Sequence, residues 1–168
     1  GQAFDYASLR DTTETIVRSM GVQQDCFWFR LSQGYFDNFT FHHSVNVCLM
    51  SARVARLVVK DLELQTRISM AALLHDVGKT RVPQEILMKR GALTPGEAEV
   101  MRRHPADGAE ILLSSAGIDP LCVSAAFGHH CHGKSGSYPR TLRPLERDWV
   151  TELISVVDVY EALGAVRP

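Results

Sequence analysis

The histidines of this chain, seven in all, stand where side chains from distant segments can converge. His75-Asp76 closes the apolar run Met70-Ala71-Ala72-Leu73-Leu74, just before the backbone breaks at Val77-Gly78. Successive helical side chains diverge by about 100°, so two adjacent ligands serve one site best at a helix end. His104 stands directly before Pro105 at a helix mouth, His129 and His130 are adjacent near another helix end, and His43 and Asp158 fall within long helices. Taken alone, His75-Asp76 reads as a salt-bridged helix terminus, and each lone histidine as a surface or core residue. Taken together, imidazoles and carboxylates suit divalent Fe, Mn, Zn or Ni. His43, His75, His104, His129 and His130 with Asp76 and Asp158 exceed the three or four protein ligands of one metal site. Two metals are implied, sharing a carboxylate and a water.

Other chemistry fails on spacing. Gly78-Lys79-Thr80 has the ending of a phosphate-binding P-loop, but the required earlier glycine falls at Leu73. Neither an HExxH zinc motif nor a GxSxG elbow occurs, and Cys131 beside the histidines lacks a nucleophile's setting.

The elements that must position these residues are helical. Apolar positions at steps of three and four mark Tyr6 to Met20, Phe41 to Lys60 and Leu62 to His75, the last punctuated by Gly78. Pro83 opens a short helix that finishes by Gly91. Thr94-Pro95 with Glu97 has the form of a capping box with proline at the first helical position. His104-Pro105 and Asp119-Pro120 start two more helices, the second reaching His129-His130. A polar loop from His132 to Pro144 precedes a last helix from about Glu146 to Leu163. The run Ile154-Ser155-Val156-Val157 is rich in β-formers, yet its continuation favours helix. The fold class is therefore all-α, a compact helical bundle.

A chain of 168 residues with 45% apolar and 22% charged residues fits one globular domain. A net charge of −1 gives no field for a nucleic acid polymer, and no apolar run approaches the roughly 20 residues of a membrane span. Cys26, Cys48, Cys122 and Cys131 form no CxxC pair, which reads as a reduced, cytoplasmic protein with thiols as apolar fillers. A start without Met and a stop at Arg167-Pro168 read as a fragment of something longer.

The order His43, His75-Asp76-Val77-Gly78-Lys79, His104-Pro105, His129-His130, Tyr138-Pro139, Asp158 resembles the HD-GYP branch of the HD phosphohydrolases. The resemblance runs from Phe41 to Pro168 and includes His43-Ser44-Val45-Asn46-Val47 and Val156-Val157-Asp158-Val159-Tyr160-Glu161-Ala162-Leu163. It implies a catalytic domain over 41–168, cut short at its C-terminus, with 1–40 as a helical cap or linker. It further implies that Asp76 bridges two divalent ions, Fe or Mn first, then Ni, Zn or Mg. His43, His75 and Asp158 would complete one shell, and His104, His129 and His130 the other. Asp76 and Lys79 become the catalytic pair, Lys79 reaching the substrate phosphate, with Lys134, Ser137, Tyr138 and Arg140 on the substrate lip. The implied reaction is hydrolysis of cyclic di-GMP to linear pGpG by a metal-activated bridging hydroxide. The implied partners are a diguanylate cyclase (GGDEF) domain or a fused sensory or receiver domain.

Two departures qualify this expectation. Some members carry a glutamate one turn before the first ligating histidine, supporting a third metal; here that residue is Phe39, which predicts two metals and a linear product. The family loop HHExxDGSGYP reads here His129-His130-Cys131-His132-Gly133-Lys134-Ser135-Gly136-Ser137-Tyr138-Pro139. Ser137 replaces the glycine of GYP and is strained if that position needs positive φ. A module that binds the dinucleotide without cleaving it, and a phosphohydrolase of nucleotide monoesters, are the two competing readings.

Overall fold

A helix whose surface is largely apolar has to be covered by its neighbours over most of its length, and this is the position of Leu62–Leu74, buried from Gln65 onward except at Arg67 and Leu73 and exposed at Glu63. In this computed structural model the described residues are 5–20, 39–133, 136–141 and 146–164. Cys26, Lys134, Ser135 and Arg167-Pro168 lie outside them. The elements are α1 (Tyr6–Ser19), α2 (Phe39–Val58), α3 (Leu62–Leu74), a 3-10 turn (Val77–Arg81), α4 (Gln84–Leu87), α5 (Pro95–Met101), α6 (His104–Leu113), α7 (Pro120–Gly128) and α8 (Trp149–Gly164). No strand occurs among the described residues.

Helix α3 is the hub. It packs against α1, α2 and α7, while α6 packs on α7 and the 3-10 turn, and α8 on α2 and α7. Ile68, Met70, Ala71 and Ala72 of α3 meet Val47, Ala55, Cys122, Ala125, Ala126 and Ile154 in one core. Small residues on α3 and α7 let the two backbones come close. The buried polar residues of α3 are satisfied within it or next to it: Thr66 Oγ1 donates to Leu62 O (3.0 Å), Ser69 Oγ to Gln65 O (2.7 Å) and Gln65 Nε2 to Val59 O (2.7 Å). Cys48, Cys122 and Cys131 are free, buried thiols, and burial pushes Cys48 and Cys122 up to about 12.

Helix α1 shares this interior. Tyr6 and Leu9 pack on the main core, Val17 and Met20 form a second cluster with Ala52, and Thr13 Oγ1 lies 3.0 Å from Met70 Sδ. The capping box at Thr94 and Glu97 forms as the spacing predicts. The last helix begins at Trp149 instead of Glu146. The reason is Asp148, whose carboxylate accepts from Thr151 N (2.9 Å) and fixes the first turn three residues later than expected. The β-forming run 154–157 lies inside α8, with Ile154 and Val157 buried against the core. Packing has overridden propensity there. No helix among the described residues is long and apolar enough to cross a membrane.

The α3–α7 contact is pinned at one end by Asp119. Its carboxylate caps α7 through Leu121 N (2.8 Å) and takes two hydrogen bonds from Arg67 of α3 (2.5 and 3.2 Å). Burial raises the Asp119 pKa, but Arg67 and the Leu121 amide outweigh it, leaving a net fall. A carboxyl depressed in the folded state stabilises above its unfolded pKa, and this contribution is lost as pH falls through the folded pKa. Asp119→Ala is expected to lower stability by about 1–2 kcal/mol near neutral pH. In urea unfolding, the gap between variant and parent should close as the solution is acidified.

Candidate metal centre

Five α-helices and the 3-10 turn deliver the seven predicted ligands to one place. His43 comes from α2, His75 is the C-cap of α3, and Asp76 precedes the 3-10 turn with φ −101° and ψ 9°. That change of backbone conformation is what lets two adjacent residues face one point. His104 opens α6, with Pro105 behind it, His129 is the C-cap of α7 with His130 next in chain, and Asp158 lies on α8. His43, His75, Asp76, His104, His129 and Asp158 are all buried.

The tautomers follow from the hydrogen bonds. Nδ1 of His75 donates to Ala72 O (2.7 Å), Nδ1 of His104 to Met101 O (2.8 Å), and Nδ1 of His129 to Ala125 O (2.9 Å). Carbonyl oxygens only accept, so Nδ1 carries a proton in each ring and Nε2 is the atom turned inward, as a lone pair in the neutral form. These lone pairs meet around Asp76, whose two oxygens face opposite ways. Oδ2 lies 3.6 Å from His43 Nε2 and 3.4 Å from His75 Nε2; Oδ1 lies 3.2 Å from His104 Nε2 and 3.7 Å from His129 Nε2. Asp158 Oδ1 is 3.0 Å from His43 Nε2. His43, His75 and Asp158 form one group with ligand atoms within 4.8 Å of one another, and His104, His129 and His130 form a second. His75, Asp76 and His129 form a third group of the same kind, joining the two.

The donor set fits a cation. His75 Nε2 and Asp76 Oδ1 are buried without a hydrogen-bond partner. His104 Nε2 and His129 Nε2 stand 3.2 Å apart, two lone pairs with no proton to share once both Nδ1 atoms are protonated. Buried acceptors that converge without a donor are costly unless a positive ion sits among them.

The electrostatics agree. Burial works to raise the Asp76 pKa, but the Lys79 ammonium beside it leads the effects that outweigh burial and hold the carboxyl well below its usual range. Asp158, raised by burial and lowered further by the His43 hydrogen bond and His75, ends at about 2. Burial and neighbouring imidazoles push His129 well below the usual histidine value and His130 to about 4, so both rings stay neutral. His43 is the exception. Burial lowers its pKa, but Asp158, Asp76 and Glu161 together outweigh burial and leave a net rise.

Around this core the expected lip is reached in part. Lys79, on the 3-10 turn, places Nζ on Asp76 Oδ2, its side chain 22% exposed. Tyr138 lays its ring over His130, centroids 4.5 Å apart, and burial with Asp76 and Asp158 lifts its hydroxyl to about 12. Ser137 Oγ donates to His130 O (3.2 Å). Among the described residues of this turn, Gly133 (φ 69°) and Gly136 (φ 90°) take left-handed backbone. Cys131, standing for the family's glutamate, points its thiol at Tyr138 O (3.4 Å) and Pro139 O (3.6 Å). Arg140 is exposed, and Lys134 lies outside the described residues.

The sequence did not single out several residues that hold the site. Glu161 accepts from His43 Nδ1 (2.6 Å) and from Asn46 Nδ2 (2.9 Å). Ser155 Oγ lies 2.6 Å from His129 O and accepts from Arg147 Nη1 (3.0 Å), tying the end of α7 to α8. Asn46 and Glu161 each follow a predicted ligand by three residues, one helical turn, and that spacing was the available signal. Gly78, read as helix punctuation, serves close packing: a Cβ there would lie 1.9 Å from His104 O and 2.5 Å from Gly108 N.

Fold and site together define a helical domain that gathers histidines and aspartates at a buried centre able to hold metal. The chain belongs to the HD domain family, whose model matches residues 40–163. It is 33% identical over its whole length to the cyclic di-GMP phosphodiesterase PA4108 of Pseudomonas aeruginosa, covering 41% of that protein. It is 36% identical, over 80% of the chain and 37% of the relative, to a cyclic di-GMP phosphodiesterase of Thermotoga maritima. A 3′3′-cGAMP-specific phosphodiesterase 1 of Vibrio cholerae is 33% identical over 77% of the chain and 30% of its own length. The chain thus spans about two fifths or less of these relatives. Among solved structures, Bd1817, an HDG"Y"P protein from Bdellovibrio bacteriovorus, matches with a TM-score of 0.79 at 21% identity, over 94% of this chain and 52% of that one. At that identity the likeness concerns the fold, and it agrees with the all-α HD architecture expected from the sequence.

Proposed function

We propose that this chain carries the hydrolytic centre of a cyclic-dinucleotide phosphodiesterase of the HD-GYP type, with cyclic di-GMP as first substrate and the linear dinucleotide as product. Two divalent ions, Fe or Mn, would be held by His43, His75 and Asp158 on one side and by His104, His129 and His130 on the other. The observation that carries this reading is Asp76, whose oxygens face the two groups separately, with Oδ1 unpartnered. When bound, such ions acidify water and draw charge from a phosphodiester.

The chain's own residues do the rest. Asp76 holds the two halves of the site in register and stays ionised. Lys79, partly exposed on Asp76 Oδ2, is within side-chain reach of a phosphate entering the mouth and offsets charge gathering on its oxygens. Tyr138 stays protonated and offers a ring face and a donor at the lip, with Ser137, Lys134 and Arg140 as further polar contacts. The catalytic unit is taken as 41–168 with 1–40 as its cap. A fused sensory, receiver or GGDEF domain is the proposed regulator, in the cytoplasm where such nucleotides signal.

The altered loop, with Cys131, Lys134 and Ser137, supports the second reading, a module that binds the dinucleotide without cleaving it. One assay separates them. Protein loaded with Mn²⁺ is incubated with cyclic di-GMP, 3′3′-cGAMP and a nucleotide monoester, and products are resolved by chromatography. Linear dinucleotide is the expected product. Binding without turnover supports the sensor, and phosphate released from the monoester alone would replace both readings with a phosphomonoesterase.

A further inference from the structure

Three of the inward-facing histidines are oriented locally. His75, His104 and His129 each donate Nδ1–H to a carbonyl three or four residues earlier. Each sits at a helix boundary, where carbonyl groups are available. His43 has no such option, because it lies within α2, whose carbonyls serve the helix itself. Its Nδ1 goes across to α8, to Glu161 Oε2 at 2.6 Å, while Glu161 Oε1 accepts from Asn46 Nδ2 at 2.9 Å. Glu161 and Asn46 are 4% and 7% exposed. The result is an interlock of two helices. His43 and Asn46, one turn apart on α2, meet Asp158 and Glu161, one turn apart on α8, and His43 Nε2 is left 3.0 Å from Asp158 Oδ1.

The geometry points to Glu161 as the positioning residue of the His43 metal ligand, fixing its tautomer and ring plane and, through its buried charge, strengthening Nε2 as a donor. This rests on the reading of His43 as a ligand. A carboxylate behind a ligating imidazole orients the ring and raises its basicity more than a carbonyl does. The two sides of the centre therefore differ. The side with Asp158 has a second carboxylate behind its histidine, whereas the side with His104, His129 and His130 has no carboxylate but the shared Asp76.

Two variants separate orientation from charge. In Glu161→Gln the side-chain carbonyl still accepts from His43 Nδ1, and Asn46 can turn its amide to accept from the new NH₂; the hydrogen bonds survive and the charge is removed. In Glu161→Ala both are removed. Mn²⁺ affinity, measured by chelator competition, is expected to fall about 10–100-fold in Glu161→Gln and further in Glu161→Ala. Imidazole ¹⁵N spectra of the metal-free protein should show His43 protonated at Nδ1 in the parent and in Glu161→Gln, with mixed tautomers in Glu161→Ala. Unchanged Mn²⁺ affinity in Glu161→Gln overturns the proposal, and that variant decides alone if Glu161→Ala does not fold. Neither readout needs turnover. If both move as expected and no cyclic dinucleotide is cleaved, the positioning role stands and the proposed reaction fails; if cleavage occurs with both readouts unmoved, the reverse holds.

Discussion

Asp76→Asn is expected to leave a folded protein that no longer retains metal and no longer turns over substrate. An amide at this position keeps the shape but presents one oxygen and one NH₂ group. The NH₂ hydrogens can reach the Nε2 atoms on one side of the residue, such as His75 Nε2, which has no donor in the parent, while the oxygen still faces the other side. Lys79 loses its partner but is partly exposed and can turn to solvent. The shape is kept, so the variant still folds, while the charge that joins the two ligand groups is removed. A ligand present at about 100 times its dissociation constant stabilises the folded state by about 2.7 kcal/mol. The parent should accordingly melt higher when Mn²⁺ is added, and Asp76→Asn should not. Turnover is expected to fall by at least about 10²–10³-fold, the scale seen when one electrostatic group is removed from an active site. A variant with the parent's metal content after desalting would remove Asp76 from the centre of the site.

The contrast between Asp76 and Glu161 shows which part of this site a sequence can carry. Asp76, His104 and His129 sit at helix boundaries, and boundaries leave local marks: Gly78 after the first, Pro105 behind the second, the polar loop after the third. Helix starts at Thr94, His104 and Asp119 were legible for the same reason, since capping and N-terminal proline act over a few residues. Glu161 and Asn46 leave no such mark. Each looks like an ordinary polar helical residue, and their meeting depends on how α2 crosses α8, a non-local property. The start of α8 was missed by three residues because Asp148 caps it through Thr151, while Glu146 offered an equally plausible acidic start. The β-forming run at 154–157 became helix because Ile154 and Val157 share a face that the core covers.

Gly78→Ala should be strongly damaging, more so than the same change at Gly108 or Gly96. A glycine after a helix suggests freedom for a left-handed turn, but among the described residues the left-handed glycines are Gly91, Gly117, Gly133 and Gly136. At Gly78 the constraint is space. An added Cβ would lie 1.9 Å from His104 O, 2.9 Å from His104 C and 2.5 Å from Gly108 N. All three are backbone atoms of α6, so no side-chain rotation relieves the contact, and the helix that carries His104 has to move. Overpacking a core by a methylene costs about 1–3 kcal/mol when side chains can adjust; with backbone on both sides the expected loss is about 3 kcal/mol or more. The same shift pulls His104 Nε2 away from Asp76 Oδ1, now 3.2 Å apart, so metal on the His104 side is lost before the fold is. Two other glycines calibrate the effect. A Cβ on Gly108 meets Gly78 N at 3.2 Å, a contact that a small shift relieves, whereas a Cβ on Gly96 of α5 meets nothing within 4 Å. Gly96→Ala should be neutral or stabilising by up to about 1 kcal/mol through helix propensity, with Gly108→Ala between the two. Denaturant unfolding gives the stability order directly, and metal content gives the second axis. If Gly78→Ala matched Gly96→Ala on both, the close approach of the 3-10 turn to α6 could not be what holds His104 against Asp76.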